Sequence, residues 1–344
     1  MDKTQKRLLL ISLGISITVL FLFLFFTIDK ETLQALESAN IWLILLALLM
    51  HIVSIGFWAL RIKFMSKSLG YKIPFLHSFN LVCSNQFLAS VTPSQVGGEP
   101  IRIYELVKAK VPIADATAVV IMERVFDAVI LLVGAMVSLV LLNVTSFGIE
   151  IPDYMMTLSY FSSAVFLAVL ILFVIFAKKP AWGKAVTRKA AEFILRKKDT
   201  EKREASCEKL LNSVNRFYDS IGYFMGKSRY GSFSGLFFTA LFWVNEFVLV
   251  SVLLMALGLE PYFALSFLFM ILITVILMVP LTPGGAGVAE VSMAGFFALI
   301  VPANLLGVFV LLWRLIIYYF NLASGFLSTM IILRREAKDR EVKV

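Results

Sequence analysis

The sequence predicts an all-α polytopic membrane protein with six full spans plus two re-entrant helical hairpins, arranged as two inverted-topology repeats. Three observations carry this reading. Of the 344 residues, 60% are hydrophobic and 16% charged, with a mean hydropathy of +0.88, more apolar surface than one soluble core can bury. Two polar interruptions break long apolar stretches: Thr92-Pro93-Ser94-Gln95-Val96-Gly97-Gly98-Glu99 and Thr282-Pro283-Gly284-Gly285-Ala286-Gly287-Val288-Ala289-Glu290. They share the pattern Thr-Pro-x-x-x-Gly followed by Glu, and each is followed, 32 residues after its threonine, by an arginine in an apolar run, Arg124 and Arg314. Helices interrupted by Gly and Pro at matching points of two halves point to a substrate site near the bilayer midplane.

Taken in chain order, runs long enough to cross a hydrocarbon core, about 20 residues each, lie near 8–28, 41–61, 114–142, 154–177, 231–257 and 304–333. Residues 8–28 follow Lys3, Lys6 and Arg7 as a signal peptide would, but no small-residue cleavage site follows them, so they read as a retained first span. Two further apolar segments, 75–92 and 262–281, run into the Thr-Pro motifs, and each continues in a shorter second arm. The hairpins are therefore 75–100 and 262–301. Residues 1–344 form a single integral membrane domain, with a first repeat at 41–142 and a second at 231–333. The spans 8–28 and 154–177 fall outside the repeats, the latter setting the second half upside down.

Orientation follows from the basic residues that flank the runs. The stretch 61–74 holds Arg61, Lys63, Lys67 and Lys72 without an acid, and 101–113 holds Arg102, Lys108 and Lys110. Both are expected on the cytoplasmic side. Residues 29–40 carry Asp29, Glu31 and Glu37 against Lys30, while 143–153 carry Glu150 and Asp153 and no base. Both are expected outside. The segment between 74 and 101 then enters and leaves by one face, as a re-entrant hairpin. The basic loop 178–230, with 14 Lys and Arg against 6 acids, and the Arg334-Arg335 tail fall inside, so the second hairpin enters from the opposite face. The protein is expected in the cell membrane with both termini cytoplasmic.

A formal charge of +9 is assigned to anionic inner-leaflet lipid, with no nucleic acid, because the bases lie outside the apolar runs. Within 178–230, Trp182, Val186, Ala190, Phe193 and Ile194 recur at helical spacing between basic residues. This suits either a helix on the inner leaflet or one packed on its own loop. Residues 196–209 read as a solvated linker or helix extension. Cys83, Cys207, His51 and His77 have no spacing suited to a disulfide framework or a metal, so neither metal nor cofactor is expected.

Ionisable residues at membrane depth each need a reason to be there, since insertion costs about 2.5 to 3.5 kcal/mol. The candidates are Glu99, Glu123, Arg124, Asp127, Glu246, Glu290 and Arg314. Arg124 can pair with Asp127 three residues on, and Arg314, Tyr318 and Asn321 form a polar stripe. Internal ion pairs, such as Arg314 with Glu290 or Glu246, are one reading of these residues. The other is anion binding, since each arginine lies downstream of a Gly-rich break with exposed backbone amides. Gly97-Gly98 and Gly284-Gly285 serve as turns, and they also permit close approach of a ligand. No P-loop and no Ser-His-Asp or Cys-His set can be assembled, so the chain reads as a transporter rather than an enzyme.

Several motifs together resemble the flippase-like family typified by the membrane region of lysylphosphatidylglycerol synthases. They are Pro93-Ser94-Gln95-Val96-Gly97-Gly98-Glu99-Pro100 with Arg102, Glu123-Arg124 with Asp127, Pro283-Gly284-Gly285-Ala286-Gly287 with Glu290, and Arg314. The resemblance covers nearly the whole chain. It implies transport between leaflets of an anionic or aminoacylated phospholipid, or of a lipid-linked phosphate or sugar. The soluble aminoacyl-transferase domain of the bifunctional synthases is expected to be absent, because only eleven residues follow Leu333. The expected substrate-binding set is Gln95, Gly97, Gly98, Glu99, Arg102, Glu123, Arg124, Asp127, Gly284, Gly285, Gly287, Glu290, Arg314 and Tyr318. Two alternatives stand beside the translocase: an accessory subunit that docks a lipid-modifying or glycosyl-transfer enzyme through 178–230, and a membrane-embedded lipid transferase using Glu123 or Asp127 as base.

Overall fold

The computed structural model describes residues 37–91, 98–145, 147–194, 200–278 and 287–341, and every regular element among them is helical. The first half comprises α1 (Ile41–Ser68), α2 (Phe75–Val91), α3 (Gly98–Lys108) and α4 (Ile113–Val144). After it come α5 (Asp153–Lys178), α6 (Pro180–Ile194) and α7 (Thr200–Gly222), the last continuing in a π-turn at Tyr223–Lys227. The second half comprises α8 (Arg229–Ala256), α9 (Phe263–Leu277), α10 (Val288–Phe297) and α11 (Ala303–Arg314). A π-turn at Leu315–Tyr319 joins α11 to α12 (Phe320–Glu341).

Among the described residues, five helices are long and apolar enough to cross a membrane: α1, α4, α5, α8 and the continuous run Ala303–Arg335. They coincide with five of the six expected spans, and the sixth, 8–28, lies outside the described residues. Their outward faces carry large apolar side chains, among them Val133, Val140, Phe161, Leu172, Phe233 and Leu327. Such a surface calls for lipid as the solvent. The protein is an integral membrane protein.

α1 and α8 are 28 residues each, about 42 Å at 1.5 Å per residue, and they lie antiparallel along their whole length. At one end the Asn40 amide donates to the Ala256 carbonyl at 2.8 Å, and Asn40 Oδ1 caps α1 by accepting from the Trp42 amide. Midway, Asn245 Nδ2 donates to the Met50 carbonyl and Ser54 Oγ. Phe64 stacks on Phe238 further along, and Ser68 meets Gly231 at the other end. Around this pair the short helices cross over between halves: α2 packs on α12, and α9 packs on α4. At Gly325 of α12 a side chain would run into the Cys83 carbonyl of α2, so glycine is what lets those two helices approach.

Two boundaries differ from the sequence reading, with consequences for charge. α1 runs to Ser68, and Arg61, counted as a loop base, is buried inside it at 2% exposure. Arg102, counted with the loop 101–113, is fully buried on α3. Both arginines are balanced by carboxylates of α4, which removes the cost that would exclude them from the interior. The 178–230 region is helical on both sides of 195–199, and 200–209 extends α7. Gly183 of α6 sits against Tyr218 of α7, while Trp182 and Val186 remain exposed. Asp115 at the start of α4 ties α7 to the bundle, accepting from Tyr71 Oη at 2.6 Å, Ser220 Oγ at 2.7 Å and Arg216 Nε at 3.0 Å. Burial, then donation to Asp115, pushes the Tyr71 phenol above its ordinary value.

Candidate functional site

A cavity of ≈ 220 Å³ lies where α1, α2, α4, α8, α9 and the α11–α12 run converge, room for several water molecules. Its charged and titratable lining residues are His51, Arg61, Arg124, Asp127, Glu246 and Arg314, with Asn85, Gln86 and Asn321 adding amides. Trp58, Trp243, Phe242, Phe247 and Tyr318 give it aromatic walls.

The first-half charges form one network. Glu123, fully buried on α4, accepts from three donors: Trp58 Nε1 at 2.9 Å, Arg61 Nε at 2.8 Å and Arg102 Nη1 at 2.8 Å. Arg61 Nη1 also donates to Asp127 Oδ1 at 2.7 Å and to Thr239 Oγ1 at 2.9 Å, and Trp243 Nε1 donates to the same Asp127 oxygen at 3.1 Å. Arg124, one turn from Asp127, takes Glu99 of α3 as its closer partner. Its Nε and Nη2 lie 3.0 and 2.5 Å from Glu99 Oε1, against 3.8 Å to Asp127. Helix α3 brings both members of this region together, since Glu99 and Arg102 share one of its faces, 3.6 Å apart. Gly98 opens α3 hard against the Asn85 side chain of α2, so the two arms are in close contact at the break.

The second half contains a parallel arrangement. Gly287, at φ +83°, starts α10, and its amide donates to Glu290 Oε2 at 2.7 Å. The positive φ is one that glycine adopts without strain. Glu290 Oε1 accepts from Arg314 Nε at 2.7 Å, and Arg314 Nη2 lies 2.6 Å from it. The Arg314 guanidinium rests over the Tyr318 ring at 4.8 Å, a cation–π contact. The π-turn Leu315–Tyr319 follows directly, an insertion that re-aims side chains and occurs often at functional sites. Tyr318 Oη reaches the Ser90 carbonyl at 3.4 Å, linking the end of α2 to this run.

A third group lies further along α1. His51 Nδ1 is 2.9 Å from Glu246 Oε1 on α8, and His51 Nε2 is 3.0 Å from Asn321 Oδ1. Asn321 Nδ2 donates to the Ile317 carbonyl at 2.6 Å and to Gln86 Oε1 at 2.9 Å. From Arg61 to His51 the site extends ten residues along α1, about 15 Å.

Of the expected site residues, Arg124, Asp127, Arg314 and Tyr318 line the cavity, and Glu99, Arg102, Glu123 and Glu290 bond to lining residues or to each other. Gly98 and Gly287 start the second arms. Gln95, Gly97, Gly284 and Gly285 lie outside the described residues. Trp58, Arg61, Gln86 and Trp243 are not among the residues expected at the site from sequence, where His51 reads as a helix-interior or interfacial residue rather than a ligand. The available signal was an arginine and a tryptophan three residues apart, Trp58 and Arg61, at the end of an apolar run. Among the described residues, no group of three or more His, Cys, Asp or Glu could hold a metal ion.

Comparison with known proteins finds that residues 9–325 match the family described as the lysylphosphatidylglycerol synthase TM region. Similar proteins include a UPF0104 membrane protein of Archaeoglobus fulgidus, 32% identical over 93% of this chain and 95% of its own length. Another, from Methanocaldococcus jannaschii, is 28% identical over 93% of each chain. A third, from Pyrococcus horikoshii, is 24% identical over 93% of this chain and 95% of the relative.

Proposed function

We propose, for a chain that belongs to the lysylphosphatidylglycerol synthase TM-region family, that it is a lipid translocase. Its cargo is an anionic or aminoacylated phospholipid, or a lipid-linked phosphate or sugar, whose head group crosses through the central cavity while the acyl chains stay in lipid. Head-group desolvation is the main barrier to unassisted crossing, and a polar cavity between membrane helices lowers it. The observation that carries this reading is the convergence on one cavity of Arg61, Arg124 and Arg314, from both halves of the chain. Guanidinium groups suit the planar, multidentate recognition of phosphate.

The inverted repeat has support of its own. Each half places a glutamate near the start of a short helix after the break, Glu99 or Glu290, and pairs it with the arginine of the following span, Arg124 or Arg314. The leading spans α1 and α8 run antiparallel, and each half lends its first short helix to the other half's last span, as a two-fold axis in the membrane plane requires. Arg124 and Arg314 each lie eleven residues from the start of their helices, about 16 Å. Entering from opposite faces, they reach the middle of a core about 30 Å thick. The α2–α3 and α9–α10 pairs are then the re-entrant hairpins, the termini are cytoplasmic, and the exposed Trp182 and Val186 face of α6 lies on anionic inner-leaflet lipid.

Leaflet exchange in proteoliposomes tests the proposal, with head-group-labelled anionic, aminoacylated and polyprenyl-phosphate lipids. Wild type should exchange at least one class above protein-free vesicles, and the Arg124→Ala/Arg314→Ala double variant should lose that exchange. No exchange of any class would reject the translocase and favour the accessory-subunit reading.

A further inference from the structure

The network around the cavity contains five carboxylates, Glu99, Glu123, Asp127, Glu246 and Glu290, and four arginines, Arg61, Arg102, Arg124 and Arg314. The interruptions 92–97 and 279–286 add no charged residue. The fifth cation is His51, whose protonation follows from geometry. Asn321 Nδ2 donates to two carbonyl oxygens, of Ile317 and Gln86, so its Oδ1 faces His51 Nε2 and requires a proton on that nitrogen. His51 Nδ1 faces a carboxylate oxygen at 2.9 Å, and one more proton lies between the two. The pair therefore holds an imidazolium beside a carboxylate, and among the described residues the network is neutral overall.

A neutral network gives no net attraction to an anion, and adding one leaves an uncompensated charge in a low-dielectric site, which is costly. We propose that the His51–Glu246 pair is a proton site that loads together with the cargo, so that a lipid monoanion and one proton cross in the same direction without net charge movement. This rests on the translocase reading above. Loading places the head group against Arg124 and Arg314 while a proton from the same aqueous side binds Glu246 Oε2. Glu246 becomes a neutral acid beside imidazolium His51, and the added proton balances the anion. On the far side the proton leaves Glu246 for water as the lipid leaves for the other leaflet, and the pair returns to its starting state.

The cavity lining around the pair leaves Glu246 as the carboxylate open to take the proton. From α8, Glu246 itself faces His51. From the α11–α12 run come Arg314, Tyr318 and the neutral Asn321, with the edge of Phe320 against the imidazole. From α4 come Arg124 and Asp127, and from α1 itself Arg61. α2 offers only the neutral Asn85, Gln86 and Ser90, and α9 only Thr274, while Glu290 of α10 is taken up by Arg314. Asp127 is held by Arg61 and Trp243. Glu246 is the carboxylate lining the cavity whose partner is a histidine rather than an arginine.

The test is the equilibrium leaflet ratio of a tracer of acyl-labelled phosphatidylglycerol in phosphatidylcholine proteoliposomes that hold a pH difference. Electroneutral one-to-one symport draws the tracer toward the leaflet facing the basic compartment, with a ratio of about tenfold per pH unit, whatever the orientation of the protein. Glu246→Gln, which removes the proposed proton-binding oxygen, should lose the pH-driven leaflet ratio. A wild type that exchanges the tracer while its ratio ignores the pH difference overturns the proton site and leaves the translocase standing. Absence of phosphatidylglycerol exchange overturns this proposal, and the translocase falls with it only if none of the other head-group classes exchanges. A second readout needs no variant: wild type in weakly buffered detergent with a pH indicator should take up about one proton per phosphatidylglycerol bound. Binding without proton uptake overturns the proposal.

Discussion

Glu123 is the carboxylate on which the first-half network depends, and Glu123→Gln removes its charge at nearly constant volume. In the folded protein Glu123 is fully buried and accepts from Trp58, Arg61 and Arg102. A glutamine keeps one acceptor oxygen and turns an amide toward a guanidinium donor, so at least one arginine contact is lost and Arg102 keeps only the longer approach to Glu99 at 3.6 Å. Breaking a buried ion pair from one side costs about 3–5 kcal/mol. With roughly 2–4 °C per kcal/mol for chains of this order of size, the melting temperature in detergent should fall by about 6–20 °C. Glu150→Gln, on an exposed loop position, should melt with wild type. Adding Arg102→Met to Glu123→Gln should recover part of the loss, because the uncompensated cation is gone, and the pair of single changes should be non-additive by more than about 1 kcal/mol. A Glu123→Gln protein melting within a degree of wild type would refute the claim that this carboxylate holds α1, α3 and α4 together.

Further outcomes follow from packing and tethering. Gly325→Ala brings a side chain against the Cys83 carbonyl, where backbone must shift. It should cost about 1–3 kcal/mol, whereas Gly222→Ala, with open space around it, should be neutral or slightly stabilising in the same melting assay. Asp115→Asn removes the charge that Arg216, Tyr71 and Ser220 address. It should speed tryptic cleavage within α7 several-fold while the melting temperature of the bundle changes little, since the tether closes a local opening rather than the core.

Hydropathy made the spans readable because a membrane helix needs a long apolar run whatever it packs against. The breaks were readable because Pro and Gly disturb such runs at Thr92–Glu99 and Thr282–Glu290. Partner choice was not readable. Arg124 has Asp127 at helical spacing, which local rules favour, but the structure gives it Glu99 at shorter range, because Asp127 is already taken by Arg61 from another helix. Nor does periodicity reveal which face of α1 turns inward. Lipid tails are as apolar as the bundle interior, so α1 is apolar on most sides and only a few polar or amphipathic residues, His51, Ser54, Trp58 and Arg61, mark its inner face.

The same blindness affects the orientation argument, which counts bases by sequence position. Arg61 and Arg102 belong to the buried network and cannot retain a loop on the cytoplasmic side by meeting lipid head groups. Removing them leaves Lys63, Lys67 and Lys72 in the first stretch and Lys108 and Lys110 in the second, still without an acid in 61–74. The charge bias behind the proposed placement of both ends of the α2–α3 pair on one face therefore rests on lysines alone, whose long side chains can carry their charge toward an interface. The arginines in turn acquire a different role. Their position at the ends of the apolar runs, which made them look like topogenic charges, is what lets α1 and α3 deliver two guanidinium groups to one carboxylate of α4.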